Sequence, residues 1–302
     1  MLTKSIVWSP SRVRMLNECP RRYVHSNVVG RGGWPGGPRS QNPRVARAWQ
    51  LGNKRNQNDL MLRAVNDSVK EWISIQYRGE EWSEAHAKNE MTARIRNFLK
   101  ENGGEIDDEI VNKLTGEGFR RLSALNRAPL LSQLNGNRVD EWMPLNRLEA
   151  HWVGNSRVYT VPDLIARIGE KWHLVRLSSQ MWRRVPSEIQ QLELGVMLNW
   201  AVEEPSLPNC VEKFVIHRIG WVNHRWLSWK QRGSNVWKDA SQVMLAHDIK
   251  ELQFIHMRNQ ESVDLDKVAA NGTKNNCKNC GFRGECPSSA IANANYKLNP
   301  KQ

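Results

Sequence analysis

Residues 156–180, "SRVYTVPDLIARIGEKWHLVRLSSQ", decide the fold class. Two β-branched and aromatic runs flank Gly169, a residue that reverses a chain at little steric cost. Together with "LNRLEAHWVG" (145–154) they read as three short strands of a meander. The second run, from Lys171, is a buried strand that enters the polar turn Ser178–Gln180, yet it carries Arg176 in its apolar middle. A helix is predicted over about 186–203, "PSEIQQLELGVMLNWAVE", then strands near 211–220 and 224–229 and a long helix over about 239–260. Upstream, helical periodicity covers about 45–76, 83–101 from the cap Ser83, and 106–126. The order helix, meander, helix, strand predicts an α/β core with its sheet covered on both faces.

The chain divides into four stretches on this reading. Residues 1–44 hold an N-terminal helix and a Gly/Pro loop; 45–128 are helical; 129–260 form the core; 261–302 are a cysteine segment and a tail. Ser9 with Pro10 is a helix start, and Val13, Leu16 and Cys19 then share one face until Pro20 ends or kinks the helix. The segment 29–43, "VGRGGWPGGPRSQNP", is too rich in Gly and Pro for regular structure. The end of the chain, "NANYKLNPKQ", is expected to fray.

With 44 Lys+Arg against 31 Asp+Glu, the formal charge of +13 favours a polyanionic partner, nucleic acid first. No run approaches the ~20 apolar residues of a spanning helix and the N-terminus has no apolar signal core, so a cytoplasmic, non-membrane protein is expected. Several of the 14 tryptophans stand among basic residues, as in "WVNHRWLSWKQRG" (221–233). Such interleaving can stack bases, although amphipathic sheets use tryptophan in the same way.

The densest chemistry is "NNCKNCGFRGECPSS", which sets Cys277, Cys280 and Cys286 in a C-x2-C-x5-C array with Gly281 and Gly284 to let the backbone wrap a metal. Three thiolates in ten residues need a fourth ligand, and Cys19, Cys210 or a histidine could supply it. Either zinc or iron–sulfur suits such a set. His151, His217, His224, His247 and His256 show no ligand spacing and read as core or surface residues, and "GRGGWPGG" lacks the Lys-Ser/Thr ending of a phosphate loop.

"WSPSRVRMLNECPRRYVHS" (8–26) resembles the opening helix of RecB-type nucleases of the PD-(D/E)XK superfamily, and with the three late cysteines it is similar to the iron–sulfur branch that includes the AddB nuclease domain and the CRISPR-associated RecB-like exonucleases. The resemblance implies a restriction-endonuclease-like α/β core with a helical N-terminal insertion. It also implies a [4Fe-4S] cluster on Cys19, Cys277, Cys280 and Cys286, with zinc as the alternative, closing the C-terminal segment on the N-terminal helix and leaving Cys210 as a buried free thiol.

Carried over position by position, the family's catalytic pattern is eroded here. The early "GxxxH" reads Gly52 and Asn56; the glutamate before the strand pair is Glu149; the acid of "GxxD" is Asp163. Where "IVDYKT" is expected stands "LVRLSS", so the metal-binding acid is Arg176 and the lysine Ser178; "QxxxY" reads Gln191 and Gly195. A guanidinium beside Asp163 would compete with a cation for its carboxylate. The expectation is therefore a pseudo-nuclease, with Glu149 and Asp163 vestigial and no catalytic Mg²⁺ or Mn²⁺, that binds nucleic acid, DNA above RNA, by its backbone or end. Arg176, Trp182, Arg183, Arg184 and Gln191 are the candidate contacts. By resemblance its setting is a larger assembly of protein subunits in recombination, phage or CRISPR machinery. Two alternatives stand beside it: an active exonuclease rescued by Glu170, Lys171, Glu188 or Glu193, and a subunit that docks protein through its Trp-rich surface.

Overall fold

The computed structural model describes residues 5–31, 42–103, 106–134, 138–260, 262–278, 280–286 and 288. Most of the Gly/Pro loop and the final ten residues lie outside them. The elements follow in chain order. β1 (Ile6–Trp8), α1 (Pro10–Glu18) and the short α2 (Pro20–Tyr23) lead into a π-helical turn, Val24–Val29. Four longer helices follow: α3 (Pro43–Asn53), α4 (Gln57–Arg78), α5 (Glu84–Glu101) and α6 (Asp108–Ser123), then the single turn α7 (Leu131–Leu134). The strands β2 (Glu141–Pro144), β3 (His151–Val153), β4 (Ser156–Val158), β5 (Leu164–Ile168) and β6 (Lys171–Ser178) precede α8 (Glu188–Glu203). β7 (Phe214–Val222), β8 (Arg225–Arg232), α9 (Asn235–Arg258) and α10 (Lys274–Lys278) complete the chain.

Local chemistry sets these boundaries. Pro10 occupies the first turn of α1, where its missing N–H is no loss. The one helical pattern read over 45–76 is two helices, because the Asn56 side chain accepts from Asp59 N at 2.8 Å and starts α4 afresh. Gly79, at φ 69°, closes α4 in the left-handed conformation that glycine adopts freely. Ser83 caps α5 as expected, its Oγ accepting from His86 N.

Two compact units result, one from residues 1–55 with 246–302 and one from 56–245. The expected separation of helices (45–128) from core (129–260) differs from this division. α4, α5 and α6 share one apolar core with the sheet: Met61, Val65, Met91 and Ile95 join Leu164, Val175, Leu177 and Ile219.

Within residues 56–245 the sheet runs β2-β5-β6-β7-β8. β6 and β7 are parallel, with Leu174 opposite Ile216 and Arg176 opposite Arg218; the other neighbours are antiparallel. β3 and β4 form a separate hairpin, His151 opposite Val158. Side chains alternate across β6. Val175 and Leu177 face the helices, whereas Leu174 faces α8 and packs with Ile216, Leu194, Met197 and Leu198. Arg176 shares the α8 side. This is a mixed α/β fold covered on both faces of its sheet.

α8 and α9 approach closely at Gly195. A Cβ there would stand 1.8 Å from Ser241 Oγ and 2.9 Å from Trp237 Nε1. Gly195→Ala is therefore expected to destabilise residues 56–245 by about 1–3 kcal/mol through overpacking, read as a lower midpoint in urea with an unchanged slope. Ser241→Gly should recover part of the loss, and an unaltered midpoint for the single variant would show that the helices slide apart freely.

In the other unit the C-terminal segment lies on the N-terminal helices. Ala269 O accepts from Arg21 N at 2.9 Å, Val268 O from Arg21 Nε at 2.9 Å, and Glu18 O from Asn276 Nδ2 at 2.9 Å. Trp8 Nε1 donates to Asp248 Oδ2 at 3.0 Å. Among the described residues no helix is long and apolar enough to cross a membrane.

Candidate functional site

Asp163 stands immediately before β5, and its backbone N–H donates to Val175 O at 2.8 Å, which fixes it beside the middle of β6. Its Oδ2 accepts from Leu177 N at 2.8 Å. From the same strand Arg176 turns toward this carboxylate: Nη1 lies 3.6 Å from Asp163 Oδ2. Its Nε lies 3.1 Å from Oε1 of Glu193 on α8, close enough to pair but off the line of the N–H. The two terminal nitrogens donate to Val161 O and Thr160 O, each at 3.0 Å. Arg176 is 4% exposed, so a charge taken out of water is held by two carboxylates and two carbonyls.

This centre differs from an open cation site in one respect. The guanidinium stands within pairing distance of both carboxylates and would compete with a cation for them. Ser178 closes the turn by donating to Gln180 O at 2.6 Å. Glu149 is exposed on the loop between β2 and β3, and among the described residues its carboxylate joins neither Asp163 nor Arg176. Of the acids that could have reached in, Glu193 does; Glu170 pairs with Lys213 at the surface and Glu188 is exposed. Lys171 donates to Glu212 O instead.

The expected nucleic-acid contacts separate. Arg176, buried with both terminal nitrogens engaged, is corrected from a phosphate contact to an internal counter-ion. Trp182, Arg183 and Arg184 lie on the exposed loop after β6, Arg184 Nε donating to Ser228 O at 3.0 Å. Gln191 is exposed and donates to Pro186 O at 3.2 Å. Trp182 borders a cleft of about 710 Å³ between α6, this loop and the β7–β8 turn, which also takes Lys113, Arg120 and Arg121 from α6 and His224 from the turn. The sequence reading missed the α6 residues. The signal was there: Lys113 and Arg120 are seven apart, two turns along one helix face. Of the three tryptophans of "WVNHRWLSWKQRG", Trp221 and Trp226 are buried and pack edge to face with ring centroids 5.8 Å apart, and the half-buried Trp229 packs on Trp237.

Histidines also pair where spacing gave no hint. His173 Nδ1 and His217 Nε2 lie 2.8 Å apart on adjacent strands. Burial pushes His217 down to about 3, aided by the neighbouring His173 and Lys230, so it is neutral at physiological pH. On α9 His247, Asp248 and Glu251 bring one ligand atom each within 4.8 Å of one another.

In the unit of residues 1–55 and 246–302, Cys19, Cys277, Cys280 and Cys286 line one cavity, floored by Phe282 and rimmed by Arg21, Arg22 and Arg283. Cys19 takes part because Pro20 breaks the helix there, leaving it extended at φ −163°. Phe282 stacks on His25 with centroids 3.9 Å apart, and Arg21 Nη1 reaches within 3.9 Å of Cys286 Sγ. Burial raises the Cys277 and Cys280 thiols above the ordinary range, which keeps both protonated in the metal-free protein. No three of these four sulfurs lie within 4.8 Å of one another, so the thiols ring the cavity without a preformed tetrahedron. The donor set, four thiols beside three guanidinium groups, fits a soft, net-anionic metal–thiolate centre.

Gly281 serves packing rather than wrapping. A Cβ there would meet Leu51 O at 2.1 Å, so it lets the cysteine loop touch the end of α3, while Gly284 faces open space. Cys210 corrects an expectation: it is exposed, not buried, and its Sγ donates to Glu212 Oε2 at 3.1 Å, because the chain turns before β7 instead of extending through residue 210.

No family model and no curated protein matches the chain. Among solved structures, one described as the crystal structure of SSO0001 is similar at 18% identity and a TM-score of 0.27, over 65% of this chain and 80% of that one.

Proposed function

We propose that this protein is a catalytically silent relative of the RecB-type PD-(D/E)XK nucleases that binds nucleic acid, acting within a larger DNA- or RNA-handling assembly. The observation that carries the reading is Arg176, buried between Asp163 and Glu193 where a hydrolytic metal would need open coordination. The resemblance of residues 8–26, the charge of +13 and the four cysteines on one cavity support it. Cys19, Cys277, Cys280 and Cys286 would hold a [4Fe-4S] cluster, whose chemistry in this setting is that of a structural clip. In the chain itself Arg21 and Arg22 would balance the negative charge such a centre carries, and Phe282 would shield it from water.

The test uses the purified full chain. With Mn²⁺ it is expected to leave single- and double-stranded DNA intact, while binding DNA with an affinity that falls by about 10-fold or more between 50 and 200 mM salt. A second reading draws on Glu193, which brings a second carboxylate to the centre. If Arg176 swings aside, Mn²⁺-dependent cleavage should appear and should vanish in Asp163→Asn and Glu193→Gln. Binding that is flat with salt would point to a protein-docking subunit.

A further inference from the structure

The cleft beside Trp182 is better built for a ligand than the old centre. We propose that it is a binding site for unpaired nucleotides of a single strand, with Trp182 as the stacking platform, Lys113 and Arg120 on the phosphates and His224 at the opposite wall. The proposal rests on the nucleic-acid reading above and names its site and ligand class.

Four observations converge on it. Trp182 is 88% exposed, whereas Trp221 in the cleft floor and its partner Trp226 are buried. The backbone that leads into Trp182 is anchored. Met181 N donates to Trp221 O at 2.8 Å, Arg121 Nη1 donates to Ser179 O at 2.9 Å, and Met181 sits over Gly220, where a Cβ would come within 2.3 Å of its Cγ. An aromatic face carried next to an anchored segment has less backbone freedom to lose on binding.

The charge around it is available. Among the described residues Lys113 and Arg120 are exposed and pair with no acid, while the one carboxylate of the cleft, Glu117, is held by Arg121 Nη2 at 2.7 Å. The opposite wall carries strain. β7 and β8 are joined by the two residues Asn223 and His224, both left-handed at φ 46° and 62°. Such a turn favours Asn-Gly, so a histidine at its second position holds a conformation that glycine would adopt freely, and it does so at the wall of the cleft.

The ligand class follows from geometry. Bases inside a duplex have both faces covered by neighbours, so away from a duplex end a protruding indole can stack only on an unpaired base. The cleft's exposed cations, Lys113 and Arg120, lie on one wall, where they can meet the phosphates of a strand whose base stacks on Trp182.

The experiment measures fluorescence anisotropy of labelled oligo-dT, oligo-U and a blunt duplex with the full chain. A single strand should bind more tightly than the duplex. Trp182→Ala should weaken single-strand binding by about 10-fold, and Trp182→Phe should recover most of it. Lys113→Ala and Arg120→Ala should each lower the slope of log affinity against log salt by about 1. His224→Gly should raise the melting temperature while weakening binding, an opposition that a merely structural residue would not show. If the chain binds oligonucleotides but these variants bind as the parent does, the site is elsewhere and only this proposal falls. If no oligonucleotide binds at low salt, the nucleic-acid reading falls with it.

Discussion

Arg176→Met should lower the stability of the protein by about 3–5 kcal/mol, because it leaves the Asp163 and Glu193 carboxylates in the fold without their shared cation. Methionine keeps an unbranched apolar stem, so the lost charge outweighs the lost packing. In a unit of this size that corresponds to a fall in melting temperature of roughly 6–20 °C. The informative comparison is the triple variant Arg176→Met, Asp163→Asn, Glu193→Gln. The amide oxygen introduced by Asp163→Asn can still accept from Leu177 N, as the aspartate does at 2.8 Å, and no charge then remains uncompensated. The triple variant should regain most of the stability. If the single variant melts with the parent, Arg176 does not serve as the internal counter-ion and the centre is more plastic than the geometry implies.

Cys19→Ala is expected to have an effect of comparable size by a different route. A centre on Cys19, Cys277, Cys280 and Cys286 joins residues 258 positions apart in sequence. Restricting so long a loop in the unfolded chain is worth about 5 kcal/mol in the chain-entropy model. Protein prepared without oxygen should be brown with visible absorbance that bleaches on reduction, and the variant should lose both the colour and most of that stabilisation. A colourless parent holding one zinc would retain the clip and remove the iron–sulfur assignment. A colourless, metal-free parent as stable as the metal-loaded one would remove both.

Much of the fold was legible because it is written in local patterns. Ser83, the Gly169 turn and the alternation of Leu174, Val175 and Leu177 each place an element within a few residues. What was not legible depends on contacts between distant residues. Nothing at 45–76 shows that Asn56 will take the N–H of Asp59 in place of continuing the helix. The Arg176 pairing with Asp163 follows from strand adjacency, whereas the reach of Glu193 depends on how α8 lies over β6. Spacing singled out the three late cysteines and left the fourth open, and only the resemblance put Cys19 on their cavity, while the His173–His217 pair, 44 positions apart, left no trace in either. The cleft was invisible for the same reason: Lys113 of α6 and His224 of the β7–β8 turn line it together from positions 111 residues apart.

Gly195 has a consequence for reversibility. On the proposed reading three catalytic positions have taken on structural duties: Asn56 caps α4, Arg176 neutralises two acids, and Gly195 admits α9 against α8. A tyrosine restored at 195 would have to pass through Ser241, and a histidine restored at 56 would uncap a 22-residue helix. The steps away from catalysis thus act as a ratchet. Reinstating the acid and the lysine alone should not re-arm the centre, since the scaffold has closed over the positions it vacated.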